Sequence, residues 1–379
     1  MKIIVLGAGL VGAPMAIDLA GDSEFSVSMV DVSNRALSKI GKQHPIELIQ
    51  KSLSKPEEVE ALVENFDIVV SAVPGFLGFQ TLKSIIEAGK NVIDIAFFPE
   101  DPFELDDLAK EKGVTAIVDC GVAPGMSNIL IGHVDSLLDK TEQILIHVGG
   151  LPEIRTWPYE YKAPFSPIDV IEEYTRPARY VENGRLVVRP ALSEPELVDF
   201  PGVGTLEAFN TDGLRSLAKT INAPNMKEKT MRYPGHIEKM RMLRETGFFS
   251  QDEIDINGAK IRPIDFTSRL LFPMWEYSKG EADITVMRVI VEGAKSGQRV
   301  RYTYDLVDCY DAVSETSSMA RTTGYTATMA VRLLANGVYS RRGLIAPEYI
   351  GRHPECVEYL LTGLRDRGVV YNETVEEIS

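Results

Sequence analysis

The chain has 379 residues, of which 44% are hydrophobic and 25% charged, as is usual for a globular protein of about two domains. Its 55 acidic and 40 basic residues give a net charge of −15, which argues against nucleic acid or an anionic membrane as a partner. The five histidines show no ligand spacing, and the three distant cysteines form neither a disulfide framework nor a C-x-x-C metal pair. We therefore expect a cytoplasmic protein without a metal or a membrane span.

The first predicted element is a strand that leads into a glycine-rich turn. The β-branched run at residues 3–6 has strand length, and G-x-G-x-x-G follows it at Gly7, Gly9 and Gly12, before an amphipathic stretch. Gly7 permits a tight turn, Gly9 lets a pyrophosphate approach the backbone, and Gly12 lets the helix pack close to the strand. A helix N-terminus there would offer N–H groups to the phosphates. The pattern predicts a dinucleotide-binding turn.

An acidic residue, Asp31, ends the next apolar run about twenty residues further on. Its carboxylate can accept hydrogen bonds from the ribose 2′-OH of NAD and would repel the 2′-phosphate of NADP. We therefore expect NAD, although Arg35, one turn later, could soften that preference. The alternatives are a nucleotide-free turn or a signal peptide, and Asp18 with three glycines makes a poor signal core.

Strands and helices continue to alternate up to about residue 122, which predicts an α/β, doubly wound parallel sheet of Rossmann type. The buried run at 67–73 leads into a Pro-Gly loop, and loops at the carboxyl ends of such strands line the ligand crevice. Further strands are predicted at 91–96 and 114–119. The residues that we expect to bind the cofactor are Gly7, Gly9, Leu10, Val11, Gly12, Asp31, Val32, Ala72, Val73, Pro74, Ile95 and Ala96.

The pattern changes at residues 121–125, where glycine and proline crowd together, so we place the end of the first domain at residue 122. Residues 123–316 are expected to form a second α/β domain that binds substrate, with strands at 284–291 and 299–306 forming a hairpin. A helical segment at about 317–340 is expected to return to the nucleotide domain. Residues 341–379 are expected to form a C-terminal helical segment.

Several strings resemble the saccharopine dehydrogenase superfamily: DCGVAPGMSN at 119–128, GGLP at 149–152, TMRYPGH at 230–236 and TTGY at 322–325. Within it, the L-lysine 6-dehydrogenases look most similar, because of PGFLGF at 74–79, EEYTRPAR at 172–179 and TDGLRS at 211–216. The resemblance spans most of residues 1–340. It implies a Rossmann domain, an α/β substrate domain with an open mixed sheet, and a homodimer.

The resemblance also implies an activity, the NAD-dependent oxidative deamination of the 6-amino group of L-lysine. The products would be ammonia and 2-aminoadipate 6-semialdehyde, which can cyclise to a piperideine-6-carboxylate. A saccharopine or carboxynorspermidine type of C–N oxidoreductase is the alternative, but saccharopine reductases carry an aspartate where this chain has Ala123. A nucleotide-binding sensor or scaffold without turnover is a third possibility.

The same resemblance implies that Arg232, in the R-Y-P-G string, holds a substrate carboxylate. Tyr174 and Tyr325 are further candidates for substrate binding. Hydride leaves readily only from a carbon beside a neutral amine, so a base is needed, and Asp119, His236 and Asp94 are the candidates. The structural alternative for each is a helix-capping carboxylate or a packing side chain.

Overall fold

The fold is that of a computed structural model, which describes residues 1–40 and 44–379. In chain order the strands are β1 (Lys2–Leu6), β2 (Ser26–Asp31), β3 (Ile46–Gln50), β4 (Ile68–Ser71), β5 (Asn91–Asp94), β6 (Thr115–Ile117), β7 (Lys140–Pro152), β8 (Ala178–Glu182), β9 (Arg185–Arg189), β10 (Glu196–Phe200), β11 (Gly204–Asn210), β12 (Asn225–Arg232), β13 (Ile254–Ile256), β14 (Ala259–Ile261), β15 (Asp283–Lys295), β16 (Gln298–Cys309), β17 (Gly343–Ile345) and β18 (Tyr371–Glu377). The helices are α1 (Gly12–Ala20), α2 (Asn34–Ser38), α3 (Pro56–Val63), α4 (Gly75–Glu87), α5 (Asp106–Glu111), α6 (Met126–Leu137), α7 (Pro167–Thr175), α8 (Leu217–Thr220), α9 (His236–Glu245), α10 (Pro263–Trp275), α11 (Ser318–Ala335), α12 (Pro347–Gly351) and α13 (Pro354–Asp366).

These elements form two units. Unit 1 consists of Met1–Asp139 and Met319–Tyr371, and unit 2 consists of Lys140–Ser318 and Asn372–Ser379. In the part of the chain that the structure describes, no helix has both the length and the apolar character needed to cross a membrane.

Unit 1 is built on a parallel sheet in the order β17-β6-β5-β4-β1-β2-β3. The strand order runs outward from β1 in both directions, so the predicted doubly wound sheet is confirmed. Leu6 pairs with both Val30 and Ser71, which brings the carboxyl ends of β1, β2 and β4 to one edge. Buried side chains such as Ile4 and Val69 form a core with residues from α3, α4 and α5.

The contacts of unit 1 extend through α6 to Asp139, beyond residue 122, where we place the end of the first domain. The reason is the close packing of α6 on α12. A Cβ on Gly132 would lie 2.1 Å from the carbonyl oxygen of Glu348, and one on Gly351 would lie 2.0 Å from that of Ile129. The two glycines therefore let these backbones touch.

The last segment of the chain, residues 341–379, also differs from the expected helical segment. It contributes α12 and α13, but β17 extends the sheet of unit 1 beside β6, and β18 joins the sheet of unit 2 beside β16. The returning helix α11 belongs to unit 1 from Met319 onward.

Unit 2 contains a nine-stranded mixed sheet in the order β10-β11-β12-β7-β15-β16-β18, with β8 beside β12 and β9 beside β8. Strands β7 and β12 are parallel, whereas β15 is antiparallel to both β7 and β16. The predicted hairpin is confirmed as β15 and β16, which are joined through Ser296 and Gly297, both at positive φ. Helices α7, α9 and α10 share a buried cluster with Phe209 of β11.

Candidate functional site

The glycine-rich turn of unit 1 lies where the strand order reverses. Gly7 has a φ of 103°, and a Cβ on it would lie 2.5 Å from the carbonyl oxygen of Ala72. A Cβ on Gly12 would lie 2.0 Å from the carbonyl oxygen of Gly7. A Cβ on Gly9 would meet no described atom within 4 Å, so an open space faces this residue. The turn therefore offers the cradle that a pyrophosphate needs.

Asp31 is tied to this turn at the end of β2. Its Oδ2 accepts a hydrogen bond from the Ala8 amide at 2.8 Å, and its Oδ1 accepts one from the Ser33 amide at 2.7 Å. Each carboxylate oxygen has a second lone pair, which could accept a hydrogen bond from a ribose hydroxyl. Leu10 and Val32 are exposed.

The residues expected to bind the other half of the cofactor lie at the ends of β4 and β5. The Ala72 amide donates to the Leu6 carbonyl at 2.9 Å, and the Ile95 amide donates to the Ser71 carbonyl at 3.0 Å. Pro74 precedes α4, and Val73 and Ala96 are buried. Unit 1 therefore places these residues at the same edge of the sheet as the glycine-rich turn.

Asp94 and Asp119 are both buried in unit 1. The Asp94 carboxylate accepts a hydrogen bond from the Ala96 amide at 3.2 Å, and Asp119 has a φ of 51°. Cys120 follows Asp119, and burial raises the pKa of its thiol to about 12, with the charges of Asp94 and Asp119 adding to the shift. The thiol therefore stays protonated at neutral pH.

Tyr325, which was expected to bind substrate, is half-buried on α11 in unit 1. Its neighbour Gly324 faces α1, where a Cβ would lie 2.9 Å from Cγ of Met15. Helix α11 therefore packs against the helix that begins at the glycine-rich turn.

Arg232 is the last residue of β12 in unit 2 and is 2% exposed. Its Nη2 donates to Glu173 at 2.6 Å, its Nη1 donates to the Met231 carbonyl at 3.0 Å, and its Nε contacts the Tyr174 hydroxyl at 3.4 Å. A guanidinium carries five N–H donors, so two of them are without a partner among the described residues.

Aromatic side chains surround this guanidinium. The Tyr161 ring lies over it, with 4.6 Å between the ring centroid and Cζ of Arg232. Trp275 meets the Tyr161 ring edge to face at 5.4 Å. Within the described part of the chain, the buried Trp275 Nε1 and Tyr277 hydroxyl have no hydrogen-bond partner. The site thus combines an apolar wall with unused polar atoms.

His236 begins α9 and is buried beside Tyr174. Its Nδ1 lies 2.9 Å from the Tyr159 carbonyl, which can only accept, so Nδ1 donates and Nε2 accepts from the Tyr174 hydroxyl at 3.0 Å. Burial, together with the charge of Arg232, lowers the pKa of His236 to about 3. Both ring nitrogens are therefore engaged, and the imidazole is neutral.

Glu173 is a site residue that the sequence analysis did not single out. Burial raises the pKa of its carboxyl group, and its ion pair with Arg232 opposes that shift. The residue lies in the string EEYTRPAR, directly before Tyr174, so the signal was present but unassigned. Of the three candidate bases, the structure places Asp94 and Asp119 in unit 1 and His236 in unit 2.

Across residues 1–40 and 44–379, no group of three or more His, Cys, Asp or Glu side chains is arranged to hold a metal ion.

The sheet, the glycine-rich turn and Asp31 define unit 1 as a nicotinamide dinucleotide-binding domain. Residues 3–117 match the model of the saccharopine dehydrogenase NADP binding domain, and residues 121–369 match that of the saccharopine dehydrogenase C-terminal domain. The chain belongs to the saccharopine dehydrogenase family. The predicted superfamily is thereby confirmed.

Individual relatives are distant in sequence. The chain is 24% identical over 445 residues to mitochondrial alpha-aminoadipic semialdehyde synthase of Mus musculus, covering 98% of this chain and 47% of that protein. It is 22% identical over 399 residues to carboxyaminopropylagmatine dehydrogenase of Synechocystis, covering 99% and 98%. The chain therefore spans about half the length of the mouse relative.

A solved structure shares the fold. Apo saccharopine dehydrogenase (L-Glu forming) from Saccharomyces cerevisiae superposes with a TM-score of 0.79 over 99% of both chains, at 20% sequence identity. At this identity the likeness shows the fold alone, and the predicted α/β architecture is confirmed by it.

Proposed function

We propose that this protein is an NAD-dependent L-lysine 6-dehydrogenase. The observation that carries the proposal is the buried Arg232–Glu173 pair in the aromatic site of unit 2. An α-amino acid presents a carboxylate beside an ammonium, and this pair presents the opposite charges side by side. The two free N–H donors of Arg232 would bind the carboxylate, and Glu173 would bind the α-ammonium.

The rings around the pair suit the rest of the substrate. Lysine carries a four-carbon chain between its α-carbon and its 6-amino group, and such chains pack well against aromatic faces. Tyr161 and Trp275 supply apolar surface, and the Tyr277 hydroxyl is a spare polar partner in the described structure. In the absence of substrate, Arg232 and Glu173 compensate each other's charge.

The coenzyme would be held by the glycine-rich turn, with Asp31 on the adenosine ribose, and it would accept the hydride. We propose NAD because the Asp31 carboxylate lies beside the turn, where a 2′-phosphate would meet a negative charge. NADP is the alternative, because the matching domain model is described as NADP binding and Arg35 is exposed one turn beyond Asp31.

The lysine 6-ammonium must lose a proton before hydride can leave. Only about one molecule in a few thousand is neutral at pH 7, which corresponds to roughly 4–5 kcal/mol. Activity should therefore rise toward alkaline pH. Asp119 and Asp94 stay proposed catalytic residues, and Tyr325 stays a proposed substrate contact. The engaged Nε2 of His236 suits a role in holding Tyr174.

A C–N oxidoreductase that joins an amine to a carbonyl compound is the second candidate, because the Synechocystis relative is named a carboxyaminopropylagmatine dehydrogenase. An assay that supplies only lysine and NAD⁺ distinguishes these two activities. A lysine 6-dehydrogenase makes NADH and ammonia in equal amounts without a keto acid. Reduction of NAD⁺ that requires saccharopine or a similar secondary amine would contradict the lysine proposal.

Arg232→Lys tests the carboxylate contact. A charge-assisted hydrogen bond contributes about 1.5–3 kcal/mol, so the KM for lysine should rise about 10- to 100-fold while the KM for NAD⁺ stays unchanged. Arg241→Lys is the matched control, since Arg241 is a half-buried arginine of α9 that donates to the Leu192 carbonyl at 2.7 Å. Equal KM values in both variants would remove Arg232 from the substrate site.

We also propose that the protein works as a cytoplasmic homodimer on a small-molecule amino-acid substrate. Sedimentation velocity would test the oligomeric state, and a single species at the mass of one chain would contradict the dimer.

A further inference from the structure

A second carboxyl group, Glu228, is buried on the same strand as Arg232. Glu228, Thr230 and Arg232 occupy alternate positions of β12 and therefore share one face of the sheet. Glu228 is 5% exposed. Thr211, which follows β11, donates its hydroxyl hydrogen to Glu228 Oε2 at 2.5 Å, and the Thr211 and Thr230 hydroxyls are 2.8 Å apart. A continuous row of hydrogen bonds thus joins the carboxyl group to Thr230, two residues from Arg232.

The surrounding chain is shaped for this carboxyl group. A Cβ on Gly213 would lie 2.3 Å from Cδ of Glu228, so the carboxyl group lies directly against Gly213. The Gly213 amide also donates to the carboxyl group. Thr211 and Gly213 therefore both donate hydrogen bonds to the Glu228 carboxyl group.

The charges that face Glu228 come from several elements. Burial raises its pKa to about 8, the carboxylates of Glu173 on α7 and Asp212 after β11 add to the shift, and the hydrogen bonds from Thr211 and Gly213 oppose it. Asp212 is itself paired with Arg179 of β8 at 2.8 Å. The carboxyl group therefore changes between its acid and its carboxylate forms close to physiological pH.

We propose that Glu228 takes up, through the hydroxyls of Thr230 and Thr211, the proton that the lysine 6-ammonium releases. This inference rests on the proposed function. A proton that enters at Thr230 displaces the hydroxyl proton of Thr230 to Thr211, and that of Thr211 passes to the Glu228 carboxylate. The ammonium becomes a neutral amine and the carboxylate becomes an acid, so charge and protons balance before any hydride moves. After product release, the acid returns its proton to water along the same hydroxyls.

The test compares the wild type with Glu228→Gln and Thr230→Val. Thr285→Val is the control, because Thr285 is a buried threonine of β15 in the same sheet whose hydroxyl has no partner among the residues described. With saturating lysine and NAD⁺, kcat of the wild type should rise through a group near pH 8. Both test variants should lose that inflection and about 10- to 100-fold in kcat at this pH, while the KM for lysine changes little. The control should retain the wild-type profile.

Infrared difference spectroscopy supplies a readout that needs no turnover. A protonated buried carboxyl group gives a carbonyl band that should titrate near pH 8 in the wild type and be missing in Glu228→Gln. Unchanged kcat and pH profile in Glu228→Gln would overturn the proton transfer and leave lysine oxidation intact. Absence of the band at neutral pH would also overturn it. A titrating band in a protein that does not oxidise lysine would instead show that the proposed function fails, and this role of Glu228 with it.

Discussion

The imidazole of His236 is held by three neighbours: the Tyr159 carbonyl, the Tyr174 hydroxyl and the Tyr161 ring, whose centroid lies 4.8 Å away. The Tyr174 hydroxyl in turn contacts Nε of Arg232 at 3.4 Å. A neutral imidazole suits this position, because a proton on Nε2 would turn the acceptor of the Tyr174 hydroxyl hydrogen into a second donor to the oxygen that Nε of Arg232 already contacts. His236 therefore fixes Tyr174, and Tyr174 supports Arg232.

A pH dependence of stability follows from the lowered pKa of His236. Burial lowers it from 6.5 to about 3, so the folded state binds fewer protons than the unfolded state between these values. The stability that His236 contributes is fully present above pH 6.5 and is lost as the pH falls toward 3. By pH 5 the loss should be about 2 kcal/mol.

Thermal unfolding from pH 8 to pH 5 measures this effect. The wild-type Tm should fall more steeply with acidification than that of His236→Gln, in which no imidazole can be protonated. His353→Gln serves as the control, because His353 is an exposed histidine. If Tm fell equally with pH in the wild type and in His236→Gln, the lowered pKa of His236 would not be the cause of the pH dependence.

The residues of the unit 2 site could be predicted only in part. Arg232 was singled out because it lies in the string R-Y-P-G, and the structure places it in a buried polar site. Glu173 could not be paired with it, since the two are 59 positions apart and meet only when α7 packs on the sheet. Glu228 stands between Lys227 and Lys229, a pattern typical of a solvated strand, and only the fold shows that its side chain is buried.

At the scale of elements, two glycines of the strand–turn–helix unit formed by β1 and α1 have different physical roles. Gly12 is needed for the fold, because a Cβ would overlap the Gly7 carbonyl at 2.0 Å. Gly9 faces open space in the described structure, so the fold itself does not require it. The same motif therefore contains one glycine for packing and one for a ligand.

Gly9→Ala and Gly12→Ala test this separation. Gly9→Ala should leave the Tm unchanged and weaken NAD⁺ binding about tenfold or more, because the methyl group occupies the approach of the pyrophosphate. Gly12→Ala should lower the free energy of unfolding by about 1–3 kcal/mol through overpacking. Calorimetric titration with NAD⁺ and thermal unfolding measure the two quantities. Unaltered NAD⁺ affinity in Gly9→Ala would show that the coenzyme does not lie over this turn.

The long periodic elements could be read from sequence, whereas the short and the exposed ones could not. Strand β16 alternates between buried and more exposed positions from Val300 onward, and the turn that joins it to β15 carries Gly297, so the hairpin could be predicted. Strand β17 has only three residues, and its place beside β6 depends on contacts between distant parts of the chain. Strand β18 is mostly exposed and rich in glutamate, so its sequence is typical of an acidic tail.

At the scale of the whole molecule, both units are assembled from separate stretches of chain. Unit 2 lies in sequence between the two stretches of unit 1, and residues 372–379 return to it. These residues add β18 to the sheet and form hydrogen bonds with residues of β16. The Tyr304 hydroxyl donates to Glu373 at 2.8 Å, and the Ile378 amide donates to the Arg299 carbonyl at 3.0 Å. The sheet that carries Arg232 is thus completed by the last residues of the chain.

Removal of residues 372–379 should therefore destabilise unit 2 selectively. The lost hydrogen bonds and the newly exposed edge of β16 should cost about 2–5 kcal/mol, and the truncated protein should aggregate more readily. The glycine-rich turn and Asp31 lie outside the deleted segment, so NAD⁺ should bind with unchanged affinity. Scanning calorimetry and NAD⁺ titration measure the two effects, with Glu373→Gln as a milder variant that retains the strand. If the deletion left the calorimetric profile unchanged, β18 would not be part of the stable sheet of unit 2.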